Sequence, residues 1–264
     1  MNDTKRRNGS IIKLFQKYIR PIIRKCGVDL VRYKKDLNFP LDFDELDIRI
    51  YKAVEDYTMT NVERVHAIIQ TVQYIVKNKI DGDLVECGVW KGGSIMAMVL
   101  TLKELRDMSR EIYLYDTFSG MSEPTSVDIW YNGKSFQKEY YHRKISKDFI
   151  DWCYASLEEV KSNISRTGYP KDKFHFIKGK VEDTLPGNVP QKIALLRLDT
   201  DWYESTKHEL IHLFPLLSHK GVLIIDDYGR FQGAKKAVNE YILENKLCIL
   251  LNRIDDTCRI GVKV

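Results

Sequence analysis

Two short apolar runs that each end in acidic residues constrain the fold of this chain more than any other feature. The first run, residues 195–198, leads into an Asp-Thr-Asp tripeptide, and the second, residues 222–225, leads into an Asp-Asp pair. The segment between them has helical periodicity. Apolar runs joined in this way are typical of parallel strands with a crossover helix. Both sets of acids are therefore predicted to lie at the carboxyl edge of one sheet, where α/β proteins bind ligands.

The acids at this edge predict a metal site. Carboxylates that lie together repel one another and resist transfer out of water unless they share a positive charge. We expect Mg²⁺, because it prefers carboxylate and water oxygens in octahedral geometry. The four acids are Asp199, Asp201, Asp226 and Asp227.

The remainder of the chain alternates strand-like and helix-like segments, which predicts one α/β domain. A helix is predicted to begin at Thr60, because Thr60 and Glu63 have the spacing of a capping box. Further helices are predicted at residues 95–106, 152–167 and 233–245. Further strands are predicted at residues 83–88, 111–116, 174–177, 247–251 and 258–264.

Composition excludes several classes of protein. With 264 residues and a net charge of only +5, the chain has no basic face of the kind that nucleic-acid proteins present, so we expect no nucleic-acid partner. Its five cysteines are scattered without a Cys-x-x-Cys pair, which favours buried thiols in a reducing compartment. No run of membrane-spanning length and no signal peptide is recognisable. The predicted location is cytoplasmic.

The N-terminal segment is basic and amphipathic. Apolar residues recur at helical spacing over residues 10–25, and lysine and arginine occupy the other face. This pattern fits a helix that contacts a membrane surface or a partner. It also fits an arm that packs on its own domain or on a second subunit, which we favour. We predict an N-terminal helix and connector at residues 1–57, and a catalytic domain at residues 58–264.

A long polar and aromatic loop interrupts the domain at residues 117–150. A loop of this length within a compact domain is usually a lid or a binding segment. His142 lies in this loop and is a candidate general base or substrate contact. A lone loop histidine more often has neither role.

The turn after the first strand predicts a cofactor. It has the order Glu86-x-Gly88-x-x-x-Gly92-Gly93-Ser94 and lacks the G-x-G-x-x-G spacing that admits a pyrophosphate to a helix N-terminus. An acid at the strand end and a looser glycine turn suit a cofactor with a positive amino-acid portion, such as S-adenosylmethionine. Asp116, at the end of the second strand, would accept hydrogen bonds from the ribose hydroxyls.

Four motifs in this order resemble those of the macrocin O-methyltransferase family. They are residues 57–60 (Tyr-Thr-Met-Thr), residues 83–94, residues 198–206 and residues 226–229. The resemblance extends from about residue 58 to residue 241. It leaves the first 50 residues and the loop unmatched, and we expect those regions to set the acceptor.

The resemblance implies a Rossmann-like class I methyltransferase fold, in which a mostly parallel seven-stranded sheet has helices on both faces, with an added N-terminal helical extension. It implies an enzyme that methylates sugar hydroxyls with S-adenosylmethionine and Mg²⁺. Asp199, Asp226 and Asp227 would hold the metal. The residues implied for the cofactor are Thr58, Met59, Glu86, Gly88, Gly92, Ser94, Asp116, Thr117, Glu182 and Asp183.

The reaction needs a group that removes the proton of a poorly nucleophilic hydroxyl. Asp199 is the first candidate for this base, and His142 is also a predicted catalytic residue. Asp201 is the second candidate among the acids. We favour a structural role for Asp201 as the cap of the helix that begins near Tyr203.

Two other functions stay open at this point. The chain would suit an NAD-dependent nucleotide-sugar oxidoreductase, or a non-catalytic glycan-binding protein that keeps the fold. The intact set of acids argues against the second. The acceptor is left open between a glycosylated natural product, a nucleotide-linked sugar and a glycan precursor. We also expect a homo-oligomer.

Overall fold

The computed structural model describes residues 39–146 and 149–264, and the compact unit within it covers Leu41–Val264. The predicted amphipathic helix at residues 10–25 lies outside the described residues, as does all of residues 1–38, whereas residues 39–57 of the predicted N-terminal extension are described. Among the described helices, none is both long and apolar enough to cross a membrane.

Seven strands form one sheet, which confirms the predicted α/β class. Strand order is β3-β2-β1-β4-β5-β7-β6, and the first five strands in this order are parallel. β7 is antiparallel to β5 and to β6. The strands are β1 (Asp83–Cys87), β2 (Ile112–Asp116), β3 (Phe174–Lys178), β4 (Ile193–Leu198), β5 (Leu217–Ile225), β6 (Asn252–Arg253) and β7 (Arg259–Val262).

Helices cover both faces of the sheet, because each central strand presents apolar side chains alternately to two cores. On β1, Leu84 belongs to one core and Val85 to the other, and both are fully buried. The helices are α1 (Glu45–Val54), α2 (Val62–Lys77), α3 (Gly93–Glu104), α4 (Gln137–Arg143), α5 (Leu157–Ser165), α6 (Val181–Thr184), α7 (Tyr203–Leu213) and α8 (Gln232–Glu244).

The predicted domain boundary at residue 57 falls inside the compact unit. α1 begins at a capping box in which Asp44 and Asp47 each accept the other's backbone N–H, at 2.9 and 3.0 Å. This helix contributes Ile50 and Val54 to the same core as Leu84. α1 is therefore part of the unit that carries the sheet.

Several predicted boundaries were wrong. α2 begins one residue late, since Asn61 and not Thr60 accepts the Arg64 N–H, at 3.0 Å, while the Thr60 hydroxyl pairs with Thr58. The helix predicted at 152–167 is confined to α5, because Ser156 is its cap. The strand predicted at residues 247–251 lies further along the chain, as β6. Residues 117–150, which were predicted to be a loop, contain α4.

Candidate active site

Parallel pairing brings the acids together, as predicted. Leu198 at the end of β4 lies beside Ile225 at the end of β5, so the residues that follow leave the sheet at the same edge. One carboxylate oxygen from each of Asp199, Asp226 and Asp227 can be chosen so that all three lie within 4.8 Å of one another. Among the described residues this is the one group of side chains able to hold a metal ion.

A buried arginine beneath the acids was missed by the sequence analysis. Arg197 lies in β4, and its guanidinium is 2.7 Å from Asp199 and 2.5 Å from Asp226. It also donates to Glu86, at the end of β1. An arginine in an otherwise apolar strand, two residues before an acid, is the signal that could have identified it. Arg197 supplies part of the positive charge for which the sequence analysis proposed only a metal ion.

A second arginine reaches the same acids from α2. Arg64 donates to the other carboxylate oxygen of Asp226 and to the Thr257 hydroxyl, and its Nε is 2.7 Å from Asp255. Each of the two guanidinium groups therefore donates to a different carboxylate oxygen of Asp226. Each carboxylate oxygen has two lone pairs, so a further ligand can still bind to Asp226.

Burial favours the protonated forms of Asp199, Asp201 and Asp227. The pKa values of Asp199 and Asp227 lie well above the ordinary range, chiefly because burial disfavours their charged forms and neighbouring acids add repulsion. Burial also raises the pKa of Asp201 to about 7, opposed by its hydrogen bond with Asp227. Two carboxyl groups that share a hydrogen bond hold at least one proton between them. A bound cation would replace that proton.

The predicted capping role of Asp201 was wrong. Asp201 has a left-handed φ of +69°, which turns it away from the start of α7, and its carboxyl group contacts Asp227. The cap comes from the long loop, since Asp128 accepts the Tyr203 N–H at 2.8 Å. Asp128 also accepts the backbone N–H and the hydroxyl of Thr125, at 2.8 and 2.7 Å. Asp201 is therefore free to act with the other acids.

A further buried acid supports the turn that carries Asp199. Glu209 on α7 is fully buried, and its carboxyl group accepts the Thr200 hydroxyl at 2.9 Å. The Cys87 thiol lies against the same carboxyl group. Burial raises the pKa of Glu209 well above its ordinary value, so folding favours the neutral form of this carboxyl group.

We expect Glu209→Gln to weaken the pH dependence of stability. The folded chain holds a proton on Glu209 that the unfolded chain releases above about pH 4.5, so this residue's contribution to stability is lost as the pH rises. The loss is about 1.4 kcal/mol per unit of pKa difference. The amide does not titrate. The free energy of unfolding of the variant, measured with urea, should therefore rise relative to that of the wild type as the pH is raised from 5 to 8. Equal pH slopes would contradict the prediction, and the exposed Glu158→Gln is the control.

Close backbone approach explains two glycines of the turn after β1. A Cβ atom on Gly88 would lie 2.0 Å from the carbonyl oxygen of Asp199, and one on Gly93 would lie 2.5 Å from that of Tyr57. Asp116 holds the turn in place, because it accepts the Val89 and Phe118 N–H groups, each at 2.7 Å. The glycine turn and the metal edge are therefore in direct contact through their backbones.

One cavity of about 1280 Å³ connects the acids, the glycine turn and the long loop. The predicted site residues that line it are Thr58, Met59, Gly88, Ser94, Asp116, Thr117, His142, Glu182, Asp199, Asp226 and Asp227. Three others do not line it. Glu86 is fully buried behind the wall, Gly92 packs against Ile164, and Asp183 is exposed.

The long loop packs on the acidic edge through aromatic side chains. Phe136 is buried with its ring centre 4.7 Å from that of Trp130 and 5.0 Å from that of Phe231. The Trp202 indole donates to the carbonyl of Ser122 in the loop at 2.9 Å. His142 is exposed on α4 and faces the cavity. The loop thus forms a wall of the site.

Comparison with known proteins identifies the family to which the chain belongs. The family described as Macrocin-O-methyltransferase (TylF) matches residues 50–261. The chain is 32% identical over 201 residues to 8-demethyl-8-(2,3-dimethoxy-alpha-L-rhamnosyl)-tetracenomycin-C 4'-O-methyltransferase of Streptomyces olivaceus, across 76% of this chain and 73% of that protein. It is 35% identical over 187 residues to demethyldecarbamoylnovobiocin O-methyltransferase of Streptomyces niveus, across 70% of this chain and 67% of that protein.

A solved structure agrees with the sequence relatives. The O-methyltransferase NovP superposes with a TM-score of 0.69 at 31% identity, over 79% of this chain and 82% of that one. The match selects a methyltransferase over the NAD-dependent oxidoreductase and the non-catalytic protein that the sequence analysis left open. The chain belongs to the macrocin O-methyltransferase family and is an S-adenosylmethionine-dependent O-methyltransferase.

Proposed function

We propose that this enzyme methylates a sugar hydroxyl and that it requires Mg²⁺. The observation that carries the proposal is the shared cavity, in which three clustered acids and the glycine turn face the same space. The names of two relatives support the acceptor class, because one is a 4'-O-methyltransferase of a rhamnosylated compound and the other acts on a novobiocin precursor.

The donor atoms fit Mg²⁺. Asp199, Asp226 and Asp227 offer only oxygen ligands, which this cation prefers over nitrogen or sulfur. Asp227 has a buried carboxylate oxygen without a hydrogen-bond partner. Arg64 and Arg197 compensate part of the negative charge, and six acids surround them if Glu86, Asp201 and Asp255 are counted. The cluster therefore offers a divalent cation both negative charge and a carboxylate oxygen that is free to bind it.

The predicted cofactor residues divide into two kinds. Those that line the cavity can contact the cofactor directly, and Ser94 at the start of α3 is among them together with Thr58. Glu86 can act only from behind the wall, where it holds Arg197. Asp116 already accepts three backbone N–H groups, so a ribose hydroxyl would share its oxygens with the turn.

Bound S-adenosylmethionine supplies a methyl group that its sulfonium already activates, and a bound divalent cation supplies positive charge beside the acceptor hydroxyl. The protein must then hold the acceptor in line and take one proton. Asp199 is the proposed base, because it lies on the floor of the cavity and is 27% exposed. Asp201 and His142 also face the cavity and are the remaining candidates.

We expect methyl transfer to require a divalent cation. Activity measured with a panel of rhamnosyl and noviosyl acceptors should fall to background in excess chelator and return on addition of Mg²⁺. Titration calorimetry of Mg²⁺ should give one site per chain in the wild type and none in Asp227→Asn. Asp172→Asn, an exposed acid outside the cavity, should bind normally. Full activity in chelator would contradict the metal requirement, and binding of NAD in place of S-adenosylhomocysteine would contradict the cofactor.

A further inference from the structure

The cavity is acidic on its floor and basic on its loop side. Lys134, Lys138 and Arg143 line it from the long loop, and Arg230 lines it from the turn after β5. Arg143 is paired with Glu139, with 2.5 Å between Nε and Oε1. Within residues 39–146 and 149–264, the other three cations have no salt bridge. Lys180, which follows β3, also lines the cavity and has no salt bridge within these residues, so Lys134, Lys138 and Arg230 are three of four unpaired cations that border the cavity.

Aromatic packing gathers these three cations at one place. The Arg230 guanidinium lies 5.1 Å from the centre of the Trp130 ring. Lys134 closes a hairpin on the same tryptophan, since its carbonyl accepts the Trp130 N–H at 2.9 Å. Phe136 stacks on Trp130, and Lys138 follows it by two residues, in the first turn of α4. The segments that carry the three residues thus meet at Trp130, and all three residues line the cavity; we call Lys134, Lys138 and Arg230 the basic lid.

Lys134 and Lys138 form no salt bridge with the acids of the floor among the described residues. Arg197 and Arg64 already contact those acids directly. Of the three lid cations, Arg230 interacts electrostatically with the floor, because its charge lowers the pKa of Asp201. An anionic group on a ligand would be repelled by the floor and attracted by the lid. A ligand with one anionic end would therefore enter with its neutral end towards Asp199.

We propose that the acceptor sugar carries a phosphoryl group, and that Lys134, Lys138 and Arg230 bind it. This inference rests on the proposed sugar methylation and narrows its acceptor class. A guanidinium fork and two ammonium groups suit the several oxygens of a phosphate or diphosphate. The cavity also exceeds the roughly 1000 Å³ upper range of ordinary small-molecule sites, which leaves room for cofactor, sugar and phosphoryl group together.

Calorimetry with inorganic pyrophosphate tests the lid without assuming a particular sugar or base. The full chain is loaded with S-adenosylhomocysteine and titrated with the probe in chelator, so that no metal ion carries the interaction. We expect binding that weakens with added salt and that falls at least tenfold in the double variant Lys134→Gln/Lys138→Gln. The double variant Lys52→Gln/Lys171→Gln makes the same change in net charge at exposed positions outside the cavity, and should bind like the wild type.

Two sources share this chemistry, a sugar 1-phosphate and a nucleoside diphosphate sugar. Glucose 1-phosphate and UDP-glucose distinguish the two sources. The compound that is closer to the natural acceptor should bind more tightly, and it should lose more affinity in the double variant Lys134→Gln/Lys138→Gln. Pyrophosphate that fails to bind, or that binds the lid variant as tightly as the wild type, overturns the inference. Loss of S-adenosylhomocysteine binding in the wild type would instead overturn the proposed function, so the two failures are distinguishable.

Discussion

Asp199→Asn and Asp227→Asn are expected to abolish methyl transfer, with a loss of about 10³-fold or more. A general base contributes roughly 10²- to 10⁴-fold to a reaction, and a metal site contributes several kcal/mol of charge stabilisation. The folded state should survive, because asparagine has nearly the size of aspartate and removes an acid from a buried cluster in which the acids repel one another. Single-turnover assays with S-adenosylmethionine and a rhamnosyl acceptor measure the loss, and thermal unfolding measures the fold.

The two variants also separate the roles of these residues. Asp227 has no salt bridge within the described part of the chain, whereas Asp199 is paired with Arg197 at 2.7 Å. We therefore expect Asp227→Asn to unfold at an equal or higher temperature than the wild type, and Asp199→Asn to unfold at a slightly lower one. Retention of more than a tenth of the activity in either variant would exclude that residue from the chemistry.

Arg197→Met is expected to cost about 3–5 kcal/mol of folding free energy, which is the usual penalty for leaving buried charges without a partner. Arg197 is the only cation in contact with Glu86 among the described residues, and it also contacts Asp199 and Asp226. A loss of this size equals much of the total stability of a typical domain. Urea unfolding and yield of soluble protein measure it.

A compensating variant keeps this prediction testable if Arg197→Met does not fold. Glu86→Gln removes one of the carboxylates that Arg197 neutralises, and burial raises the pKa of Glu86 to about 7. The double variant Arg197→Met/Glu86→Gln should therefore recover part of the lost stability. Arg197→Lys should fall between the wild type and Arg197→Met, because it keeps the charge and loses the fork. An Arg197→Met protein within about 1 kcal/mol of the wild type, which is the average cost of a point substitution, would contradict the assignment.

The local pattern of the sequence was sufficient for the sheet and for the metal candidates. Runs of branched apolar residues predict buried parallel strands, and parallel strands end at one edge, so Asp199 and Asp226 could be placed together before any coordinates. The glycine turn was predicted equally well. A Cβ at Gly88 would collide with the Asp199 carbonyl, and this close approach is the physical reason that position 88 requires glycine.

The partners of buried charges could not be predicted, because they come from distant parts of the chain. Arg197 meets Glu86 across 111 positions, and Arg64 meets Asp226 across 162. Local rules also failed at Asp201, where a cap was predicted from sequence proximity to α7. The cap is Asp128, 75 positions from Tyr203, and a left-handed backbone turns Asp201 towards the acids.

The hydrogen bond from Tyr203 to Asp128 has a consequence for protein engineering. The loop that borders the acceptor space also supplies the side-chain carboxylate that accepts the first backbone N–H of α7. Gly233 leaves room for this carboxylate, since a Cβ there would lie 2.1 Å from it. We therefore expect that a loop exchanged between relatives in order to change acceptor specificity should begin after Asp128. A transplant that begins before Asp128 would also remove the hydrogen bond to Tyr203. The chimera would then lose stability, whatever its new acceptor.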